Sequence, residues 1–438
     1  MMSLKISKVY AELRSPLDDE DAIFEAERCL ECRGHAIAPC VEACPAGIDI
    51  PEFIKDILEG NIKESAKIIF FANVLGGSCS RVCPTEELCE GGCVLKKEGR
   101  RPVSIGLLQR YATDWGFEHN LKYISAGKRK GKSVGVIGGG PAGLGCAAEL
   151  SKLGYQVTVY EKRSLLGGLL THANAPYKQL IDPLPAEALA IEEAGVEFKM
   201  GVSVGEEPSI EEIEAKHDAI FLGIGLGGDI EVNWEGKDLQ GVYNSLEFIE
   251  RLKLKGDVEV GDCVAVIGGG NTAIDAARES IRLGARDVFI LYRRTEREMP
   301  AYPHEVEEAK EEGVRFYWLT APKRFVGNSR VEGIECVYMR LGEPDSSGRR
   351  RPQEVKGTEF MMEADTVILA LGQQRRTDFL SKIKGLELEG GLVKVNENFQ
   401  TANPKYFAGG DCVNGGDTVV KAVSHGVKAA LGIDLYLR

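Results

Sequence analysis

Residues 133–161 read SVGVIGGGPAGLGCAAELSKLGYQVTVYE. Residues 134–137 are an apolar run with the character of a buried strand, and Gly138, Gly139 and Gly140 follow at once. Pro141, Ala142 and Gly143 then open a helical segment that continues to Leu153, and a second strand-like run over 155–160 ends at Glu161. Strand, glycine turn, helix and strand in this order, with an acid 23 residues after the first glycine, form a dinucleotide-binding unit. The glycines let the backbone approach a pyrophosphate, and the unpaired amides and dipole of the helix N-terminus favour its charge. Glu161 is the expected partner of a ribose hydroxyl.

The same device recurs in CVAVIGGGNTAIDAARESIRLGARDVFILYRR, residues 263–294. Gly268, Gly270, Asn271 and Thr272 form its turn, and its second strand ends in Arg293 and Arg294 instead of an acid. A carboxylate there repels the 2'-phosphate that distinguishes NADP from NAD, whereas guanidinium groups match it. Arg293, Arg294 and Arg297 are therefore the candidates for NADP selection. A second basic run, Arg349 to Arg351, stands among Ser, Gly and Pro and reads as a solvated loop ahead of a strand. Residues 364–371 read as a strand, followed by Gly409, Gly410 and Asp411 and a helical tail from Thr418. These segments are expected to complete the first nucleotide unit, with Gly168, Gly410, Asp411 and Thr418 joining Gly138, Gly140, Pro141, Ala142, Gly143 and Glu161 around a flavin dinucleotide.

Ahead of both units lie eight of the twelve cysteines: Cys29, Cys32, Cys40 and Cys44, then Cys79, Cys83, Cys89 and Cys93. Each set contains a Cys-Pro step, as ferredoxin-type iron–sulfur ligation does. All-cysteine zinc sites and disulfides are the competing readings. The three-, five- and three-residue gaps of the second set fit zinc poorly. Disulfide frameworks are rare in the reducing compartment that an acidic chain without a secretory segment suggests. Cys146, Cys263, Cys336 and Cys412 are far apart and lack C-x2-C spacing, which removes the usual dithiol of a disulfide reductase.

A length of 438 residues requires two or three domains. A net charge of -13 provides no general field for nucleic acid, and no apolar run reaches the ~18 residues of a membrane span. The expectation is a soluble, cytoplasmic α/β protein: an N-terminal helical iron–sulfur domain over 1–125, then two Rossmann-like nucleotide-binding domains. The flavin domain occupies 126–255 and 364–438, and the NADP domain, 256–363, is inserted in it.

In order along the chain, CLEC, CVEACPAGIDIPEFI, SCSRVCPTEELCEGGCV, VIGGGPAGL, VIGGGNTAIDAAR, YRRTEREMP, ADTVILALGQ and AGGDCV resemble the small (beta) subunit family of NADPH-dependent glutamate synthase. Its relatives include the N-terminal part of dihydropyrimidine dehydrogenase and the large subunit of the electron-bifurcating NADH-ferredoxin transhydrogenase. The resemblance implies that NADPH delivers hydride to FAD and that two [4Fe-4S] clusters conduct the electrons onward to a larger catalytic subunit or a ferredoxin. By position, Cys29, Cys32, Cys40 and Cys93 would hold one cluster. Cys44, Cys83 and Cys89 would hold the other, with Gln109, sixteen residues after Cys93, as its fourth ligand. No side chain is needed as a general acid or base. A dihydropyrimidine dehydrogenase subunit, a bifurcating transhydrogenase subunit and a cluster-bearing redox-sensing scaffold remain the alternatives, and homo- or hetero-oligomers are both compatible.

Two departures from the family pattern stand out. Seven residues separate Cys32 from Cys40 where relatives usually have four, which brings His35 into the loop. Residues 171–177, THANAPY, replace a Gly-Ile-Pro segment expected near the flavin.

Overall fold

Helices occupy the chain from Asp19 to Glu118, and among the described residues none there is longer than the fourteen residues of Ile105–Glu118. The computed structural model describes residues 12–32, 34, 36–345 and 348–438, so His35 and the first eleven residues of the expected helical domain lie outside the described residues. The Ile50–Leu58 helix shows how the sequence dictates this part. Asp49 caps it by accepting from the Glu52 N–H, Pro51 fills its first turn, and Ile50, Phe53, Ile54 and Ile57 bury one face. That face joins Ala22, Ile69, Leu108, Cys40 and Cys93 in one apolar core.

Two parallel sheets follow. The first has strands β1 (Ser133–Ile137), β2 (Gln156–Glu161), β3 (Glu197–Met200), β4 (Ala219–Leu222) and, at the end of the chain, β16 (Tyr406–Ala408), in the spatial order β16-β4-β1-β2-β3. The second has β5 (Val242–Asn244), β6 (Cys263–Gly268), β7 (Asp287–Tyr292), β8 (Arg315–Trp318) and β13 (Thr366–Ala370), in the order β5-β13-β6-β7-β8. An antiparallel sheet of β9 (Thr320–Gly327), β10 (Val331–Pro344), β11 (Arg350–Glu354) and β12 (Phe360–Glu363) belongs with the second. A small ribbon of β14 (Leu388–Glu389) and β15 (Leu392–Val393) belongs with the first.

The insertion is therefore real, but its bounds differ from the expected 256–363. Among the described residues, one compact unit contains 13–171, 181–226 and 375–438, and the other contains 12, 172–180 and 227–374. Strand β13 was expected to return to the first sheet; it pairs instead with β5 and β6. Its sequence TVILA is apolar and buried on both faces, so it needs a central place, which it finds beside β6. Strand β5 and the Ser245–Leu254 helix also belong to the inserted unit, as does the 172–180 segment. There Tyr177 donates to Asp275 at 2.6 Å and its N–H donates to Glu279 at 3.0 Å. The expected separation at 125 is not seen either: Val74, Leu75 and Cys79 share a core with the first sheet.

In the first unit, the Pro141–Lys152 helix is clasped between the sheet and the C-terminal Val419–Leu437 helix. The two helices approach so closely that a Cβ on Gly426 would lie 2.1 Å from the Ala142 carbonyl oxygen. Another long-range tie holds the Gly76–Val82 helix, which carries Cys79. Its N-terminus has no capping side chain of its own, and Glu187, fully buried, reaches it from the Leu184–Glu193 helix. The carboxylate accepts from the N–H groups of Gly77 and Ser78 at 2.9 and 3.0 Å and from the Ser78 hydroxyl at 2.6 Å. These are the donors that a helix start leaves unsatisfied.

Burial pushes the Glu187 carboxyl up from 4.5 to about 7 despite those donors. Between these values the folded state keeps a proton that the unfolded chain has released, so this group's contribution to stability declines as pH rises through the window. Glu187→Ala is expected to lower stability in chemical denaturation by about 2–4 kcal/mol, because three buried donors lose their acceptor. Glu187→Gln, which keeps an acceptor but cannot ionise, should cost less and flatten the pH dependence. An unchanged slope in Glu187→Gln would show that another group titrates.

Candidate cofactor and cluster sites

Cys29 and Cys32 follow the Asp19–Glu27 helix in a turn where Glu31 and Cys32 have φ of 53° and 47°. Left-handed backbone at two successive non-glycine residues costs about 1–2 kcal/mol each, a cost commonly tolerated where geometry serves a ligand. Cys40 lies in the Pro39–Ala43 helix and Cys93 is the N-cap of the Val94–Lys97 helix. All four sulfur-bearing residues line one cavity, whose other walls include Ile50, Ile54, Leu95 and Ile105. The thiols interact with one another. Burial raises the Cys40 thiol to about 12, with Cys29, Cys32 and Cys93 adding to the rise, and Cys29 and Cys32 are raised by burial and by their neighbours. Thiolates at these positions need a cationic centre among them, and a coordinating metal supplies one.

The second group gathers Cys44, Cys83 and Cys89 together with Cys79, a member of the second cysteine set that the resemblance leaves without a ligand role. Cys83 is pushed well up, first by its hydrogen bond with the Cys79 thiol, then by burial and by Cys79, Cys89 and Cys44. Burial leads the rise at Cys89 and Cys44, followed at Cys89 by Glu90 and Cys44. Gln109 is buried on the Ile105–Glu118 helix, and its amide nitrogen donates to the Gly76 carbonyl at 2.7 Å. It thus sits at the start of the helix that carries Cys79. Among the described residues, no group of three His, Cys, Asp or Glu side chains is drawn in tightly enough for a single metal ion.

At the first fingerprint, Gly138 turns the chain with φ of 105°, and Gly140 caps the helix that Pro141 begins. Gly143 has no room for a side chain: a Cβ would stand 1.9 Å from the Gly138 carbonyl oxygen. Glu161 is buried, and its carboxylate accepts from the Gly139 N–H at 2.7 Å and from the Arg163 N–H at 2.8 Å. The acid expected to meet a ribose therefore also holds the glycine turn in shape. Gly168 comes to the same turn, its Cβ position 3.2 Å from the Gly140 Cα. Across the helix start, Gly410 caps the Asp411–Asn414 turn, and its N–H donates to His425 Nδ1 at 3.3 Å. Burial lowers the His425 pKa and keeps that nitrogen an acceptor. His425 had no assigned role from sequence, and only the fold brings it to Gly410. Asp411 accepts from the Asp417 N–H at 3.3 Å, and Thr418 caps the C-terminal helix by accepting from the Lys421 N–H.

In the inserted unit, Gly268 ends β6 and Gly270 caps the Asn271–Arg282 helix, whose first turn contains Thr272. The Asn271 side chain accepts from the Tyr302 N–H at 2.8 Å. The arginines after β7 separate. Arg293 is exposed, whereas Arg294 is 5% exposed, pairs with Asp345 at 3.0 Å and donates to the Arg350 carbonyl at 2.8 Å. Arg297 is exposed in the Glu296–Glu298 turn. The basic run expected as a solvated loop is partly strand, with Arg350 opening β11.

Comparison with known proteins agrees with this geometry. Residues 6–121 match the family described as dihydropyrimidine dehydrogenase domain II, 4Fe-4S cluster, and residues 132–426 match pyridine nucleotide-disulphide oxidoreductase. The chain is 40% identical to the glutamate synthase [NADPH] small chain of Halomonas elongata, over 98% of this chain and 94% of that one. It is 38% identical to the Escherichia coli small chain, again over 98% and 94%. The chain belongs to the glutamate synthase small-chain family. Mycobacterium tuberculosis FprA, solved with NADPH, has the same fold over 69% of this chain and 85% of its own, with a TM-score of 0.57 and 19% identity. For a chain of this family, the helical part is an iron–sulfur domain and the two sheets are its nucleotide-binding units. Among the described residues, no helix is long and apolar enough to cross a membrane.

Gly143→Ala tests the closest contact of the first fingerprint. It should lower stability by about 1–3 kcal/mol in denaturant, because the helix must move away from the turn. Gly228→Ala, with nothing within 4 Å of the added carbon, should stay near wild type. Equal effects at both positions would contradict the close approach.

Proposed function

We propose that the protein is an electron-input subunit that accepts hydride from NADPH at the inserted unit and passes the electrons, through FAD and two [4Fe-4S] clusters, to a larger catalytic subunit or a ferredoxin. The observation that carries this reading is the cavity lined by Cys29, Cys32, Cys40 and Cys93, because it pools thiols from both cysteine motifs around one apolar space. The residues fit the cofactors in kind: soft thiols for iron, and a glycine-lined helix N-terminus for each pyrophosphate. FAD, when bound, supplies the exchange between a hydride's electron pair and single electrons.

The chain's own part is positioning. Gly140, Ala142 and Gly143 present backbone N–H groups to the flavin pyrophosphate, Gly138 makes the turn and Pro141, which has no N–H, starts the helix, and Glu161 fixes that turn while its remaining lone pairs face the ribose. Gly168, Gly410, Asp411 and Thr418 close the other side, with His425 holding the Gly410 N–H. Gly268, Gly270, Asn271 and Thr272 do the same for NADPH. The apolar walls of the cysteine cavity keep water from a cluster and strengthen electrostatics within it. In the second group, Cys44, Cys83 and Cys89 are three ligands and Gln109 is the proposed fourth. Cys79, hydrogen-bonded to Cys83, then tunes the charge on that sulfur.

Protein purified without oxygen should contain one FAD and roughly eight iron and eight sulfide per chain, the content of two cubanes. It should reduce an artificial electron acceptor with NADPH. Stoichiometric zinc in place of iron, or intact cofactors without turnover, would replace this reading with that of a scaffold.

A further inference from the structure

The Asp19–Glu27 helix turns Ala22, Glu25 and Ala26 inward, and helical spacing then places Glu20, Ile23, Phe24 and Glu27 together on its opposite face. Ile23 is 45% exposed and Phe24 64%, and both acids are exposed as well. Stability accounts for only part of this face. Glu20 in the first turn suits the helix dipole, but Glu27 stands in a last turn without a basic residue, where a carboxylate opposes the dipole. An exposed phenylalanine adds nothing to the core. Arg28 and Arg101 both pair with the buried Glu25 on the inner side, so their charge is spent there.

The same face leads to the first cysteine cavity. Arg28 ends the helix and the Cys29 N–H donates to the Ala26 carbonyl at 3.0 Å, so Leu30 follows within a turn. Leu30 lines the cavity beside Cys29 and Cys32, yet it is 52% exposed, so it forms a wall with the cavity on one side and solvent on the other. The second cysteine group lies in the other direction. Cys79 belongs to the core of the first sheet, with Cys44 and Cys83 packed against it, whereas Cys29, Cys32, Cys40 and Cys93 belong with the helical core, and Cys44 touches both. The order outward from the sheet is therefore second group, first cavity, Leu30, solvent.

We propose that Ile23, Phe24 and Leu30, rimmed by Glu20 and Glu27, form the docking surface for a one-electron acceptor protein whose contact face is apolar and ringed by Lys and Arg. This rests on the electron-input reading above and adds to it where the electrons leave and what surface receives them. Opposite charge brings such a partner in and sets its orientation, and a patch of this size suits the small, transient interfaces of electron-transfer pairs. A docked partner stands one leucine side chain from the thiols. An acidic carrier is repelled.

The test uses the full, cofactor-loaded protein without oxygen and three probes: cytochrome c, a basic one-electron protein; its succinylated form, in which lysine ammonium groups have become carboxylates; and neutral benzoquinone. One NADPH, donating a hydride, reduces two ferric haems to ferrous ones and leaves NADP+ and a proton. Affinity for oxidised cytochrome c, measured by calorimetry without NADPH, is the readout that does not depend on turnover. Wild type should bind cytochrome c about tenfold or more tightly than the succinylated form at low salt and lose most of that preference at high salt. Glu20→Lys combined with Glu27→Lys should weaken binding, and kcat/KM for cytochrome c, about tenfold at low salt and much less at high salt. Phe24→Ser should weaken both about tenfold at either salt, because its contact is apolar. All three side chains are exposed, so these variants should fold and reduce benzoquinone at the wild-type rate. Equal affinity for the two cytochrome forms, or unchanged affinity in both variants, overturns the proposal, while benzoquinone reduction keeps the electron-input reading. A wild type that reduces no acceptor with NADPH overturns that reading itself.

Discussion

The constraint on which the N-terminal part depends is that Cys93 must return to Cys29, Cys32 and Cys40 across more than fifty residues of intervening chain. A chain that brings its last cysteine back to its first three has little freedom in between. Two of the helices there end at the Cys-Pro steps, with Cys44 and Cys83 as extended C-caps, and the Cys32 backbone takes a left-handed turn that an unconstrained cysteine avoids. The apolar residues between the motifs, such as Ile50, Phe53 and Ile54, form the core that encloses the cavity. Gathering the thiols and packing the core are thus the same problem in this domain. A cavity that raises the thiols when empty of charge is one whose stability depends on what the thiols bind.

The nucleotide units solve a different problem, the close approach of backbone to backbone. In the first, Gly143 lets a helix start against its own turn, and Gly426 lets the C-terminal helix lie on the other side. Glu161 and His425 then accept from the N–H groups of Gly139 and Gly410, which fixes the backbone of the two glycine turns. The second unit repeats the strand–turn–helix device, but fastens its edge with charge: Arg294 is buried against Asp345 and the hairpin carbonyl. Removing one partner from such a pair is costly, whereas exposed pairs elsewhere on the surface contribute little.

Much of this was legible in the sequence because the signals were local. The two glycine fingerprints, the acid after the first and the arginines after the second all lie within about thirty residues of their partners. What was not legible depended on contacts across the chain. TVILA at 366–370 reads as a buried strand, but periodicity cannot say in which sheet, and it belongs to the second. Arg293 and Arg294 are equivalent as letters, yet one points to solvent and the other is buried under a hairpin fifty residues away. Glu187 looks like an ordinary helix acid until the start of the Gly76–Val82 helix is seen beside it. Cys79 lies one turn before Cys83 and needed the fold to show which thiols it joins.

The most direct measurement of the account is a comparison of single cysteine variants by iron content and low-temperature EPR after reduction. If the thiols interleave as the cavity implies, Cys93→Ser and Cys29→Ser should remove or alter the same cluster, although they lie in different motifs. Cys89→Ser, four residues before Cys93, should affect the other one. If Cys93→Ser and Cys89→Ser instead share one altered signal while Cys29→Ser alters the second, each motif holds its own centre. The interleaved arrangement would then be wrong.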